Sequence, residues 1–346
     1  MTCNNLTCKR FSTYMEKEIY ETPEIIRKLA KEYKKIIKSD EFLSLQAYIH
    51  LADTIHITAC GTAYHAGLLL GMMFEQMTGK RARVYIASEF NNPLVKENDL
   101  GIVISQSGET TDTLDAMNKL KEFKIPIVAI CNVEESTIAK QADILLPVHA
   151  GKEISIASTK AFVAQVLVGL TLVSGKADFS GLAKQVEKIL MDEENKHIYK
   201  NLGMEYKNAD RIFFLGTDFD VVTAMESALK VKETSYKHAE GYPAKEFRHG
   251  PIAMVDNKTL CVIFDHDNSI KINNTVSSRD SQVYTVPRYN PTPCKTCIAK
   301  KPKTPQEKLF NTILNVIPAQ LFALHLSQAL GIDTDRPRNL TKAVIV

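Results

Sequence analysis

Apolar residues fall along this chain in two rhythms. Five short runs are apolar at consecutive positions and rich in β-branched residues: 54–59 ("TIHITA"), 83–87, 101–105, 125–130 and 143–148. That is the pattern of strands covered on both faces. Between them, "AYHAGLLLGMMFEQMTG", "TTDTLDAMNKLKEF" and "ESTIAKQA" carry helical spacing. Strands separated by helices of this length predict a mainly parallel sheet with helices on both faces. A helical stretch, Tyr14 to Ile49, comes before it, and from Val166 to Asn208 the pattern is helical and increasingly charged, as in a connector. Then "DRIFFLGTDFDVVTAMESALKVKE" echoes "IHITACGTAYHAGLLLGMMFE": an apolar strand runs into Gly-Thr (Gly61-Thr62, Gly216-Thr217) and then a helix. The second half continues with strands at 259–264 and 282–286 around the loop-like "NPTPCKTCIAKKPKTP", so its sheet is expected to be small or distorted. The predicted fold is α/β with two tandem related domains. Residues 1–49 form a helical segment, 50–175 the first domain, 176–209 a connector, 210–330 the second domain and 331–346 a tail.

Composition narrows the partners. With 346 residues, 45% hydrophobic and 24% charged, the chain can bury a large core and has the length of about two domains. A formal charge of only +3, with Lys and Arg scattered among Asp and Glu, gives no basic face for nucleic acid or an anionic membrane. We read no run approaching the roughly 18 apolar residues of a membrane span. The start "MTCNNLTCKRF" lacks the apolar core of a secretory signal, so a cytoplasmic location is expected. Of the seven cysteines, Cys60, Cys131 and Cys261 sit in or at the ends of apolar runs and read as reduced core residues. Cys3 with Cys8 and Cys294 with Cys297 read as reduced loop residues, a zinc site being the competing reading.

The candidate chemistry starts at "ISQSGETTDTLDAM". In a parallel sheet, ligands bind beyond the carboxyl ends of the strands, where turns lead into helix N-termini. Ser105, Gln106, Ser107 and Thr110 lie in such a turn, and Gly108 allows close backbone approach. A phosphate would gain there from free N–H groups and the helix dipole. The other reading is a Ser/Thr-rich helix cap, although a cap needs one hydroxyl and this turn has several. Two more polar turns, with Gly61 and Thr62 in "CGTAYHAG" and Ser158 and Thr159 in "GKEISIASTKAF", can converge on the same sheet edge. Together they suggest a small, polyhydroxylated, phosphorylated ligand.

The densest titratable group is "ALKVKETSYKHAEGYPAKEFRHGP". Lys230, Glu233 and Lys237 are spaced for one helical face, His238 and Glu240 follow, and His249 sits where Gly-Pro turns the chain out of helix. A solvated charged face is one reading. The apolar neighbours Ala228, Leu229 and Val231 favour the other, a carboxylate, Lys and His equipped to move protons on carbon next to a carbonyl. The apolar last four residues predict a docked tail that holds Lys342 out of bulk water, either as a surface residue or as a Schiff-base nucleophile.

"ACGTAYHAG", "SQSGETTDTL", "EISIASTKAF", "ALKVKETSYKHAE", "FRHGP" and "DRPRNLTKAV" occur here in that order. Together they resemble the isomerase half of the glutamine-fructose-6-phosphate aminotransferase (glucosamine-6-phosphate synthase) family, built from two sugar isomerase (SIS) domains. The resemblance runs from about Tyr14 to the C-terminus. It implies that Ser105, Gln106, Ser107 and Thr110 hold the phosphate of fructose 6-phosphate, with Gly61, Thr62 and Ser158 among the sugar contacts. It further implies that His249 assists ring opening across a homodimer interface, that Lys342 forms an imine at C2, and that Glu233, supported by Lys230, carries a proton between C1 and C2. No metal or organic cofactor is implied.

Ammonia would come free or from a separate glutaminase subunit, since the chain resembles only the isomerase half. The tail would close the active site. Three departures from the family pattern stand out: Ala63 where the family has Ser, a divergent stretch from His266 to Pro302, and no terminal Glu. The motif wording is nearer the synthase than stand-alone glucosamine-6-phosphate deaminases. An isomerase or deglycase for another phosphorylated ketose or amino sugar, and a non-catalytic sugar-phosphate sensor, remain the alternatives.

Overall fold

The computed structural model describes residues 11–91, 93–264, 269–286 and 302–342. Cys3, Cys8, Cys294, Cys297 and the last four residues lie outside them, and so do the expectations made for those positions. The chain divides into two compact units. One comprises Glu21–Glu153, Ser158–Ala183 and Thr341–Val346, and the other Met1–Tyr20, Ile154–Ala157 and Lys184–Leu340.

The N-terminal stretch folds as α1 (Tyr14–Tyr20), α2 (Thr22–Ile36) and α3 (Asp40–Leu51), and only α1 belongs to the second unit. The first unit holds a sheet of β1 (Thr54–Ala59), β2 (Arg81–Ile86), β3 (Leu100–Ser105), β4 (Ile127–Cys131) and β5 (Ile144–Pro147), all parallel, in the order β2-β1-β3-β4-β5. Every residue of β1, β3 and β4 is buried, which explains their unbroken apolar runs, whereas the edge strand β2 is largely exposed or half-buried.

The connecting helices are α4 (Gly61–Met73), which continues as a π-turn to Thr78, α5 (Thr111–Glu122), α6 (Thr137–Gln141) and α7 (Lys160–Ser174). All of α7 except its last residue is buried, so it is a core helix rather than an amphipathic one. It packs against α2 and α4.

Next come α8 (Ser180–Met191) and α9 (Glu193–Glu205), with no strand between α7 and β6. The second sheet is β6 (Arg211–Gly216), β7 (His238–Pro243), β8 (Thr259–Phe264) and β9 (Gln282–Val286), parallel in the order β7-β6-β8-β9. Its helices include α10 (Asp220–Ser235), α11 (Ser269–Ser277) and α12 (Pro305–Ala329). Counted within its own unit, this is the order 2-1-3-4, the first four strands of the first sheet's order, which makes the echo between the two halves a repeat of topology. With four strands it is also the smaller sheet.

Three sequence expectations need correction. Strand β7 falls inside the stretch read only as titratable residues; it is an edge strand and its residues are mostly half-exposed. Lys237 does not share a face with Lys230 and Glu233, because α10 ends at Ser235 and Tyr236 turns left-handed at φ 56°. The Lys237 ammonium instead donates to the Ala209 carbonyl at 2.9 Å. Finally, α12 is by length and mean hydropathy apolar enough to cross a membrane, although no such run was read. Its apolar window is 83% buried within the protein, which is the signature of a core helix. Cys131 and Cys261 are buried and Cys60 half-buried, all three as free thiols.

Candidate active site

In the order β2-β1-β3-β4-β5 the chain reverses direction of travel between β1 and β3, and loops leaving those two strands diverge to open a crevice at their carboxyl ends. The turns "CGT" and "SQSGETT" are the loops that leave them. Gly61 begins α4 and Thr62 is half-buried in its first turn. Ser105 closes β3, and its buried hydroxyl accepts from the Gly108 N–H at 2.9 Å, so it braces the turn. Ser107 accepts from the Glu109 N–H at 3.3 Å and lies 3.5 Å from the Thr110 hydroxyl. Gln106, Ser107 and Thr110 are half-buried.

Thr110 is the N-cap residue of α5, yet its side chain caps none of that helix's N–H groups. The Thr110 hydroxyl is thus not spent on capping, as the anion reading of the turn expects. Gly108 is required twice over. Its φ is +67°, and a Cβ there would lie 1.9 Å from the Ser136 hydroxyl. The Glu109 carboxylate turns to the start of α6, where it accepts the Thr137 N–H at 2.8 Å.

The third turn of this unit is organised by a residue that sequence reasoning passed over. Glu153 is buried, and all its bonds stay inside the unit. One oxygen accepts the Thr159 and Ala161 N–H groups at 2.9 and 3.2 Å, capping α7 from six residues upstream. The other accepts the Ser158 hydroxyl at 2.9 Å and the Lys342 ammonium at 2.8 Å. Burial pushes the Glu153 carboxyl up, but Lys342, the Thr159 N–H and the Ser158 hydroxyl outweigh it and leave it below the usual range. Two of the candidate residues, Ser158 and Lys342, therefore meet on one oxygen. Lys160, buried at the same helix end, is neutralised by Glu21 at 2.7 Å and bonds the Lys152 carbonyl at 2.8 Å.

In the second unit, helical spacing sets Glu226, Lys230 and Glu233 on one face of α10. The Lys230 ammonium lies 3.3 Å from Glu226 and 2.6 Å from Glu233. The side chains of Glu226 and Lys230 are wholly buried, while Glu233 keeps 20% exposure. A charged pair this deep needs every partner it has. Glu226 was missed because, one turn before Lys230, it reads as an ordinary helical residue.

His249 is exposed at the end of a single turn, Glu246–His249, and Gly250 follows at φ 144°. His238 and Glu240 lie on β7, 3.4 Å apart. The "PRN" of the tail is held within this unit: the Arg338 N–H donates to the Tyr236 hydroxyl at 2.8 Å, and its guanidinium lies 4.3 Å from the centre of that ring. Among the described residues, no group of three or more His, Cys, Asp or Glu is arranged to hold a metal ion.

Comparison with known proteins agrees with this architecture. Glutamine–fructose-6-phosphate aminotransferase (isomerizing) of Chlorobaculum tepidum is 36% identical over 97% of this chain and 59% of its own length. The C-terminal domain of glucosamine-fructose-6-phosphate aminotransferase from Francisella tularensis is 27% identical, with a TM-score of 0.76, over 94% of this chain and 99% of that one. Glucosamine-6-phosphate deaminase from Thermotoga maritima is 25% identical, with a TM-score of 0.74, over 94% and 100%. The chain thus spans about 59% of the length of the curated relatives it matches, and resembles their C-terminal, isomerase part. A profile of the SIS domain matches residues 48–175 and again 205–328, and the chain belongs to the SIS domain family.

Proposed function

We propose that this chain is an enzyme that interconverts fructose 6-phosphate and glucosamine 6-phosphate. The observation that carries the ligand class is Thr110: at the N-terminus of α5, on the loop that leaves β3, it stands at a cap position without capping. A phosphate dianion suits Ser105, Gln106, Ser107 and Thr110 because it accepts several neutral hydrogen bonds and gains from the helix dipole. Thr62 and Ser158 contact the sugar. His249 assists ring opening in a homodimer. Lys342 adds to the C2 carbonyl with loss of water, and ammonia then takes its place. Glu233 removes a proton from C1 and returns it to C2 while the proton of the C1 hydroxyl passes to the imine nitrogen, so that the C2 imine becomes an amine and C1 an aldehyde. Lys230, wholly buried between two carboxylates, holds Glu233 in place for this.

The similarity to an aminotransferase and to a deaminase supports the amino sugar and leaves two directions, synthesis from ammonia and release of it. Purified protein is incubated with glucosamine 6-phosphate and assayed for ammonia, then with fructose 6-phosphate and ammonium and assayed for amino sugar. Turnover in either assay is the expected result. Binding without turnover in both would leave a sugar-phosphate sensor, and turnover of another ketose 6-phosphate alone would leave an isomerase of different substrate.

A further inference from the structure

We infer that Glu153 is the positioning residue of Lys342. This rests on the imine reading of Lys342 above, but the contact itself is a feature of one compact unit. A Lys on a tail has four rotatable bonds and presents its nitrogen at no fixed point unless something holds it. Glu153 does so with a single oxygen, which also takes the Ser158 hydroxyl, so that the amine and a sugar-contacting hydroxyl are held from one atom. The other oxygen is fixed by the Thr159 and Ala161 N–H groups, which anchor the carboxylate to the start of α7. The remaining charges of this segment do not compete: Lys160 is committed to Glu21, and Lys152 is exposed. Lys342, in turn, keeps 27% of its side chain exposed, enough for a substrate carbonyl to reach it.

Two measurements separate this inference from the function it rests on. Glu153→Gln keeps the shape of the side chain and removes its charge. Without any sugar, acetic anhydride should label Lys342 several-fold faster in Glu153→Gln than in the wild type, relative to exposed Lys140 as internal standard; equal labelling overturns the inference. With fructose 6-phosphate and borohydride, mass spectrometry should find the wild-type imine trapped on Lys342. In Glu153→Gln trapping should be on the order of tenfold to a hundredfold slower at saturation, with little change in the half-saturating concentration. Equal trapping rates overturn the inference as well. A wild-type protein that is never trapped, yet shows the labelling difference, removes the imine function and leaves the pairing standing.

If Glu153→Gln does not fold, Lys342→Met reads the contact from the other side. Its melting temperature should fall below the wild type at pH 7 and much less at pH 4, where the buried Glu153 of the variant, no longer held ionised by Lys342, can take up a proton. No change at either pH overturns the inference.

Discussion

The two sheets share a strand order, and the turns after their first strands, β1 and β6, are counterparts. They are filled in opposite ways. After β1, and again after β3, the turn carries hydroxyls at the start of a helix. After β6 the start of α10 is occupied by the protein's own Asp220, whose carboxylate accepts from the hydroxyls of Thr223 and Thr312 at 3.0 and 3.2 Å and from the Asn315 amide at 3.1 Å. Asp218 beside it pairs with Lys308 at 2.6 Å. Asp220 thus ties the start of α10 to α12, so turns at the same place in the same topology carry hydroxyls in one unit and a tethered carboxylate in the other. Charge in the second unit gathers instead on α10, as the ammonium of Lys230 between Glu226 and Glu233.

If neutral donors bind and ionised groups react, substitutions in the two places should separate. Glu233→Gln, which cannot carry a proton, should lower turnover about 10²- to 10⁴-fold and leave sugar-phosphate binding almost unchanged, read as kcat against KM. A proportionate rise in KM would instead make Glu233 a binding residue. Lys230→Met leaves two carboxylates facing each other in the core. Urea denaturation should show a loss of about 3–5 kcal/mol, and a much smaller loss would mean the triad is less enclosed than the geometry has it.

Asp220 should make the second unit sensitive to pH. Burial, opposed by hydrogen bonds from Asn315, Thr223 and Thr312, raises its carboxyl from 3.8 to about 6. Between those values the folded state binds the proton more tightly than the unfolded one, so this group's contribution is full below pH 4 and is lost as the pH rises through 6. The span is on the order of 3 kcal/mol. Melting curves of Asp220→Asn should lack this slope between pH 4 and 6.5.

The smallest effect expected is that of Thr110→Ala. Loss of a hydrogen bond to phosphate should weaken sugar-phosphate binding roughly tenfold by calorimetry. The melting temperature should hold, because this hydroxyl caps nothing. A fall in stability without loss of affinity would restore the capping reading.

Much of the first sheet was legible because a strand buried on both faces has no choice but continuous apolar sequence, as in β1, β3 and β4. Strand β7 was not, since an edge strand reading "HAEGYP" is mostly half-exposed and carries Gly and Pro. The end of α10 was missed because Tyr236, not Gly, makes the left-handed turn, a position where a non-Gly residue gives no sequence signal. The turn residues and Lys342 were nominated by side-chain type and motif order. Glu153 escaped because its partner is 189 residues away and because it caps α7 from outside the cap position, which Thr159 occupies. Glu226 escaped because full burial of a helical carboxylate cannot be read from spacing alone.

The carboxylate that holds Lys342 is also the cap of α7, the helix with 14 of its 15 residues buried. A variant at Glu153 that also lost this cap would therefore present first as a protein that expresses poorly. A survey that keeps soluble proteins and then ranks them by activity would discard it, and would credit the reaction to the exposed residues alone.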